Sequence, residues 1–224
     1  MSDLARFEAI AQRRRSVRAF LPDPVPQDVI ERAIAAAATA PSSCNTQPWR
    51  LHIASGDSLV RLRAALIAAA EAGTPAAPEV EHASPYAGVY RERQIDAAVR
   101  LFAAQGVERH DRAARMASFL RNYAFFDAPH AAFLFIPEQG GLREAADCGK
   151  FAQTFMLALA AAGVGSCPQG SLSDYPWIVR DTLGLDESGR LLVGFSFGFA
   201  DESDPTTAVR PERQAVGEIA HFHD

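Results

Sequence analysis

Two short stretches carry the residue types that could do chemistry. Arg13-Arg14-Arg15-Ser16-Val17-Arg18-Ala19-Phe20 places four Arg within six residues, with one Ser among them. Forked guanidinium donors beside a hydroxyl suit a phosphate, and Arg14 and Arg18 can project to one side. One or two basic residues at a helix end commonly complement its dipole; four within six exceed that need. The second stretch, Ala40 to Arg50, reads APSSCNTQPWR. Pro41 and Pro48 would break a helix, and nothing in it alternates as a strand would. It reads as a loop of small hydrogen-bonding groups ending in one large flat ring, which suits a planar polar ligand. The plainer alternative is an Ala-rich helix ending in a polar turn.

Three other patterns fail on context. Gly194-Phe195-Ser196-Phe197-Gly198 spells the G-x-S-x-G of serine hydrolases. That elbow needs a strand, a sharp turn and then a helix. Here FADESDP follows, and Phe195, Phe197 and Phe199 alternate with small residues as in a strand with one bulky face. His221 and His223 lie downstream, at a terminus expected to fray. Gly163-Val164-Gly165 follows a helix and precedes a strand, the reverse of a dinucleotide fingerprint. The six His are scattered, without carboxylate or Cys partners at metal-ligand spacing, so no metal is expected.

The elements that must position these stretches follow from periodicity and punctuation. Leu4, Phe7, Ile10 and Ala11 predict a helix from Asp3 to about Arg15, capped by Ser2 or Asp3. Pro26 is expected just inside a second helix with Val29, Ile30, Ala33, Ile34 and Ala37 as its apolar face. After the polar loop come a strand, Leu51 to Ala54, and a helix, Leu59 to Ala72. Residues 73–85 hold three Pro and several charges and read as a mobile or surface linker. Tyr86 to Glu108 and Asp111 to Tyr123 read as amphipathic helices. Ala131 to Ile136 is a continuous apolar run, hence a buried strand. Leu142 to Ala162 is a long buried helix with Gly163 as its C-cap. Val164 to Cys167 is a short strand running into Pro168-Gln169-Gly170. Ser173 is expected to cap a helix containing Trp177, and Leu191 to Phe199 is the last strand.

The whole chain bounds these readings. Its 224 residues make one large domain or two small ones and can bury a sizeable core without staples. Hydrophobic residues are 48% and charged residues 22%, an ordinary globular composition. The net charge of −5, with both signs interspersed, argues against a nucleic-acid or membrane-surface role. No apolar run is long enough to span a bilayer. Three Cys (44, 148, 167) with no C-x-x-C, and no basic-then-apolar opening, point to the cytoplasm with reduced thiols.

RRSVRAF followed by APSSCNTQPWR resembles the N-terminal signature of the FMN-dependent nitroreductase family. FDAPHAAFLFI, DCGKFAQTFMLALAAAGVGSCPQGSL and FGFADESDPTTAVRPERQAVGEI resemble the family's central strand, its core helix with flavin-covering loop, and its C-terminal crossing segment. The four blocks stand in the family's order, and the Cys-Pro-Gln matches its nitrobenzoate-reductase-like branch. The resemblance implies an α+β fold: a central mixed or antiparallel sheet of four to five strands, flanked by helices, in an intertwined homodimer. It implies one domain over 1–224, with helices of 86–124 beside the substrate channel and 200–224 crossing to the partner subunit.

It also implies FMN, held without a covalent bond at the subunit interface. Arg14, Arg15, Ser16 and Arg18 would come from one subunit. Arg14 and Ser16 would meet the phosphate and ribityl chain, and Arg18 would lie near N1 and O2, where reduction builds negative charge. Pro41, Ser42, Ser43, Asn45 and Gln47 would come from the other subunit and line the ring. Pro168, Gln169 and Gly170 would cover one flavin face, with a backbone N–H of Gln169 or Gly170 toward N5. Arg213, supported by Arg210, would complete the phosphate clamp. Other branches carry an acidic residue where Gln169 stands, and an Asn for the ribityl chain that has no counterpart in LVRLRAALIAAAEAG. No catalytic side chain is required. NADH or NADPH would reduce the flavin, and a small-molecule acceptor, nitroaromatic or quinone, would follow in ping-pong order. The alternatives are the same fold doing metabolite dehydrogenation or reductive dehalogenation, or a flavin carrier or sensor without turnover.

Overall fold

The computed structural model describes residues 1–81, 85–186 and 189–223. Its centre is strand β2, His130–Ile136, buried along its whole length. Strand β1, Arg50–Ser55, pairs with it antiparallel from Arg50 opposite Phe135 to Ser55 opposite His130. Strand β4, Arg190–Gly198, takes its other side, and β3, Gly165–Gln169, pairs with β4. Among the described residues the sheet is therefore four-stranded and wholly antiparallel, in the order β1-β2-β4-β3. The α+β architecture is as expected.

Alternation along β2 divides the core in two. Ala132, Leu134 and Ile136 face one side with Phe195 and Phe197, against helices α2 (Gln27–Ala37) and α6 (Leu142–Ala161). Ala131, Phe133 and Phe135 face the other side, against α3 (Gly56–Glu71) and α7 (Pro176–Leu183). Phe155 of α6 meets Phe195 and Phe197 edge-on at 6.4 and 5.8 Å. Burying each such ring contributes roughly 1.5–3 kcal/mol. Gly163, at φ +79°, ends the chain path of α6 in the left-handed region, and β3 follows at once.

Several boundaries differ from the sequence reading. Helix α1 spans Asp3–Arg13 with Ser2 as its cap, so Arg14 is already extended (φ −61°, ψ 119°). The released strand-like segment lets Ser16 bridge Ser166, with Val17 N–H on the Ser166 carbonyl at 3.1 Å. Pro26 stands at the N-cap of α2 rather than inside it. Pro168 and Gln169 belong to β3, not to a loop. Ser173 caps nothing: its hydroxyl donates to the Gly170 carbonyl within the 3₁₀ turn Gly170–Ser173, and α7 starts on Pro176, whose ring suits a first helical position. The G-x-S-x-G motif lies inside β4 with Ser196 fully buried, so no elbow exists.

The stretch 73–85 is tied down where it is described; residues 82–84 lie outside the described residues. Ala77 N–H reaches the Asp174 carbonyl at 2.9 Å, and Glu79 pairs with Arg180 at 2.7 Å and accepts from Leu191 N–H. Helices α4 (Gly88–Ala104) and α5 (Arg112–Leu120) pack with no fully buried residue. After β4, a 3₁₀ turn, Pro205–Ala208, packs on the body. The remaining chain to residue 223, including α8 (Val216–Ile219), is largely exposed.

One buried group makes the fold acid-sensitive. His130 Nε2 accepts the Val25 N–H at 2.9 Å, which leaves the proton on Nδ1, 2.5 Å from Ser55 Oγ. Phe197 stacks on the ring at 5.0 Å. Burial holds this imidazole below the ordinary histidine value, and a proton on Nε2 would face the Val25 donor. The unfolded chain takes that proton near pH 6.5 while the folded chain does not. The stabilising term is thus complete above about pH 6.5 and is lost as pH falls below it, by at most about 1.4 kcal/mol per pH unit. His130→Gln keeps an acceptor without the titration. Denaturant unfolding between pH 7.5 and 5.5 should show a shallower acid slope for that variant than for the natural protein.

Candidate active site

The extended segment after α1 alternates, so Arg14, Ser16 and Arg18 share one side while Val17 is buried. With Arg210 and Arg213 they line a cavity of about 370 Å³. Ser16, Arg14 and Arg18 also surround Cys167 of β3. Burial pushes that thiol up to about 11, while Arg18, Ser16 and Arg14 pull it down.

The charges in this cavity are unbalanced. Arg14 is lowered from the usual arginine value, first by burial and then by Arg213. Among the described residues its guanidinium has no hydrogen-bond or carboxylate partner. Among the described residues Arg213 donates only to backbone carbonyls, Pro211 at 2.9 Å and Glu212 at 3.2 Å. Arg210 is lowered by burial and by Arg15, with Glu202 opposing. Two neighbouring cations without counter-charge, beside a hydroxyl, fit an anionic oxygen cluster such as a phosphate monoester. Arg15 also borders the cavity but is engaged: it pairs with Glu202 and donates to the Thr207 carbonyl at 3.0 Å, so its guanidinium fastens the chain after β4 to the chain after α1.

The polar loop is held by a residue that sequence reasoning missed. Asp147, 2% exposed on α6, accepts the Ser43 N–H at 2.9 Å and the Lys150 ammonium at 2.6 Å. These contacts, Lys150 first, hold its carboxyl below the usual range. Ser42 Oγ accepts the Gln47 N–H at 3.0 Å, and Trp49 stacks on Phe151 of α6 at 5.1 Å. Such anchoring matters because Cys44, Asn45 and Gln47 have φ of +49°, +56° and +47°. Non-glycine residues hold that conformation only where the surroundings fix it. The signal was present: Asp and Lys three apart on an otherwise apolar helix face form a natural pair.

Within one chain, Pro41, Ser42, Ser43, Asn45 and Gln47 do not line the arginine cavity. Gln47 instead borders a cleft of about 620 Å³ with Trp49, Arg50, His52 and Phe135. Pro168 and Gly170 are exposed on β3 and just after it, while Gln169 between them is buried. The Gln169 side chain reaches Ser196 and Asn122, contacts that no sequence spacing announces.

The sequence model of the nitroreductase family matches residues 11–199. The chain belongs to the nitroreductase family. It is 39% identical over 221 residues to "Nitroreductase NfnB" of Mycolicibacterium smegmatis, covering 98% of this chain and 94% of that one. It is 33% identical over 216 residues to a "4-nitrobenzoate reductase" of Pseudomonas putida, covering 96% and 95%. The crystal structure of the FMN-dependent nitroreductase NfnB from Mycobacterium smegmatis in complex with NADPH superposes with a TM-score of 0.94 at 38% identity, covering 99% and 100%. The fold of this nitroreductase-family chain is therefore that of a shared architecture, and no helix among the described residues is long and apolar enough to cross a membrane.

The thiols of this family member separate cleanly. Cys148 and Cys167 are buried, and burial pushes them up to about 12 and about 11; Cys44 is exposed at the turn of the polar loop. A thiolate-directed reagent at pH 8 should label one Cys per folded chain, and Cys44→Ser should abolish that labelling. Mass spectrometry of the labelled protein reads the count.

Proposed function

We propose that this chain is an FMN-dependent NAD(P)H oxidoreductase that reduces nitroaromatic or quinone-type acceptors in ping-pong order, as a cytoplasmic homodimer. The observation that carries the reading is the uncompensated Arg14–Arg213 pair facing a cavity beside Ser16. Bound FMN supplies hydride chemistry, accepting from NADH or NADPH and giving to the acceptor.

The protein's own part is position and charge. Arg14, Ser16 and Arg213 would hold the phosphate end, with Arg210 behind them and Arg15 bracing the segment. Arg18 would place a cation where reduction builds negative charge. The backbone between Gln169 and Gly170 would offer a donor to the atom that takes hydride. Pro168 and Gly170 would exclude water from one ring face. Pro41, Ser42, Ser43, Asn45 and Gln47 of the partner subunit would line the ring's other side.

Dimer formation is supported by surfaces that the single chain leaves open. Leu4 and Phe7 on α1 are 66% and 54% exposed, and Val216, Ile219 and Phe222 on the tail are 70%, 66% and 88% exposed. Such apolar groups are suited to burial against a second copy. The tail is the segment that would cross. Helices α4 and α5 would flank the acceptor's entry.

The test is the visible spectrum of the purified protein before and after anaerobic NADH or NADPH. A two-banded flavin spectrum that bleaches, and recovers on adding 4-nitrobenzoate or a quinone, is the expected result. A flavin spectrum that neither donor bleaches would favour a carrier. A colourless protein that binds no added FMN would overturn the reading.

A further inference from the structure

We propose that Ser196, acting through the Gln169 side chain, is a positioning residue that sets the direction of the Gln169–Gly170 peptide at the hydride-transfer site; this rests on the function proposed above. Gln169 and Cys167 share the buried face of β3, and Cys167 is paired with Ser196 of β4. Gln169 is 3% exposed and Ser196 fully buried. The Gln169 Nε2 donates to the Asn122 carbonyl at 2.9 Å and faces Asn122 Oδ1 at 3.4 Å. A backbone carbonyl cannot donate, so Nε2 must face Asn122 and Oε1 must face Ser196. Ser196 Oγ–H therefore donates to Oε1. Every polar atom of the amide has a partner, and its plane is fixed from two sides.

An apolar side chain would fill this place without any hydrogen bonds. A fully satisfied buried network instead selects one geometry. What it selects is the backbone at the strand end, because the next residue, Gly170, is exposed and opens the 3₁₀ turn. The anchor itself is rigid. Asn122 Nδ2 bonds the Phe119 carbonyl at 2.9 Å, and the turn Phe125–Asp127 that follows has three successive positive φ values, +56°, +52° and +65°, with Phe125 and Phe126 buried. The preceding residue, Arg121, donates to the Arg18 carbonyl at 3.0 Å. One corner thus holds both the peptide near Gly170 and the backbone of Arg18.

Ser196→Ala removes the hydroxyl and leaves Oε1 buried without a donor. The rate of flavin bleaching at saturating NADPH should fall about tenfold. The oxidised–reduced equilibrium of bound FMN should shift about tenfold toward the oxidised form, about 30 mV for a two-electron couple. FMN affinity and the KM for NADPH should change less than about threefold. Independently of flavin, amide exchange at Gly170 should quicken in Ser196→Ala. The double variant Ser196→Ala/Gln169→Met removes both partners, so stability should return while the redox shift and fast exchange persist. Recovery of potential and exchange together with stability would reduce the contact to packing and overturn the proposal, as would an unchanged potential in Ser196→Ala. If Ser196→Ala does not fold, Ser196→Cys, of the same shape and a weaker donor, should give the same shifts in smaller degree. A wild-type protein that stays colourless or unbleached defeats the functional reading instead, and the Gly170 exchange rates still decide the positioning role.

Discussion

Arg14→Ala is expected to raise the Kd for FMN about tenfold to a hundredfold, since a charge-assisted contact to a phosphate contributes roughly 1.5–3 kcal/mol. The same substitution should not destabilise the flavin-free protein. Arg14 has no partner to lose among the described residues, and its removal relieves the repulsion from Arg213 that, after burial, lowers its affinity for a proton. Ligand-free and ligand-bound stability should therefore move in opposite directions. Arg15→Ala gives the contrast. It breaks the pairing with Glu202 and the bond to the Thr207 carbonyl. It should lower the melting temperature of the flavin-free protein and weaken FMN binding only by loosening the segment. Flavin fluorescence titration and thermal melts of both forms read these four quantities. An Arg14→Ala protein that binds FMN as tightly as the natural one would remove Arg14 from the phosphate site.

The difference between these two neighbours marks what the sequence could express. Four Arg in six residues pointed toward an anion site, and most strands and helices were readable from periodicity, down to β2 as a buried apolar run, whereas the order of the strands was not. Which guanidinium stays open was not readable, because it depends on Glu202, nearly two hundred residues away in sequence. The end of α1 was misjudged by two residues for a related reason. Arg14 and Arg15 are good helix formers, and the bridge from Ser16 to Ser166, with Arg15 held by Glu202 and Thr207, draws the chain into extended form. Pro168 looked like a loop residue because proline rarely sits within a sheet. It is tolerated here in β3, the last strand of the sheet, on its exposed side. Asp147 was hidden in a helix legible only as core. Its role appears when α6 is brought under the loop that it holds.

Gly194→Ala is expected to have a large effect for a single added methyl group near the site. A Cβ at Gly194 would lie 2.5 Å from Leu172 Cβ and 2.7 Å from Leu172 Cδ1. Both atoms belong to Leu172 of the turn Gly170–Ser173; its Cβ is fixed to the backbone, and its fully buried side chain leaves Cδ1 little room to swing aside. Overpacking of this kind costs about 1–3 kcal/mol. For a chain of this size each kcal/mol lowers the melting temperature by about 2–4 °C. Gly194 also pairs with Gln169 across β3 and β4, so the strain falls on the strand end and turn that carry Gly170. Flavin loading should fall with stability, and the bleaching rate of what remains loaded should fall further than in a core variant of equal cost on the opposite face of the sheet. Leu159→Ala, in the core cluster on the opposite face of the sheet from Leu172, is such a control. Equal bleaching rates in the two variants, at matched loss of melting temperature, would show that the turn's position does not govern hydride transfer.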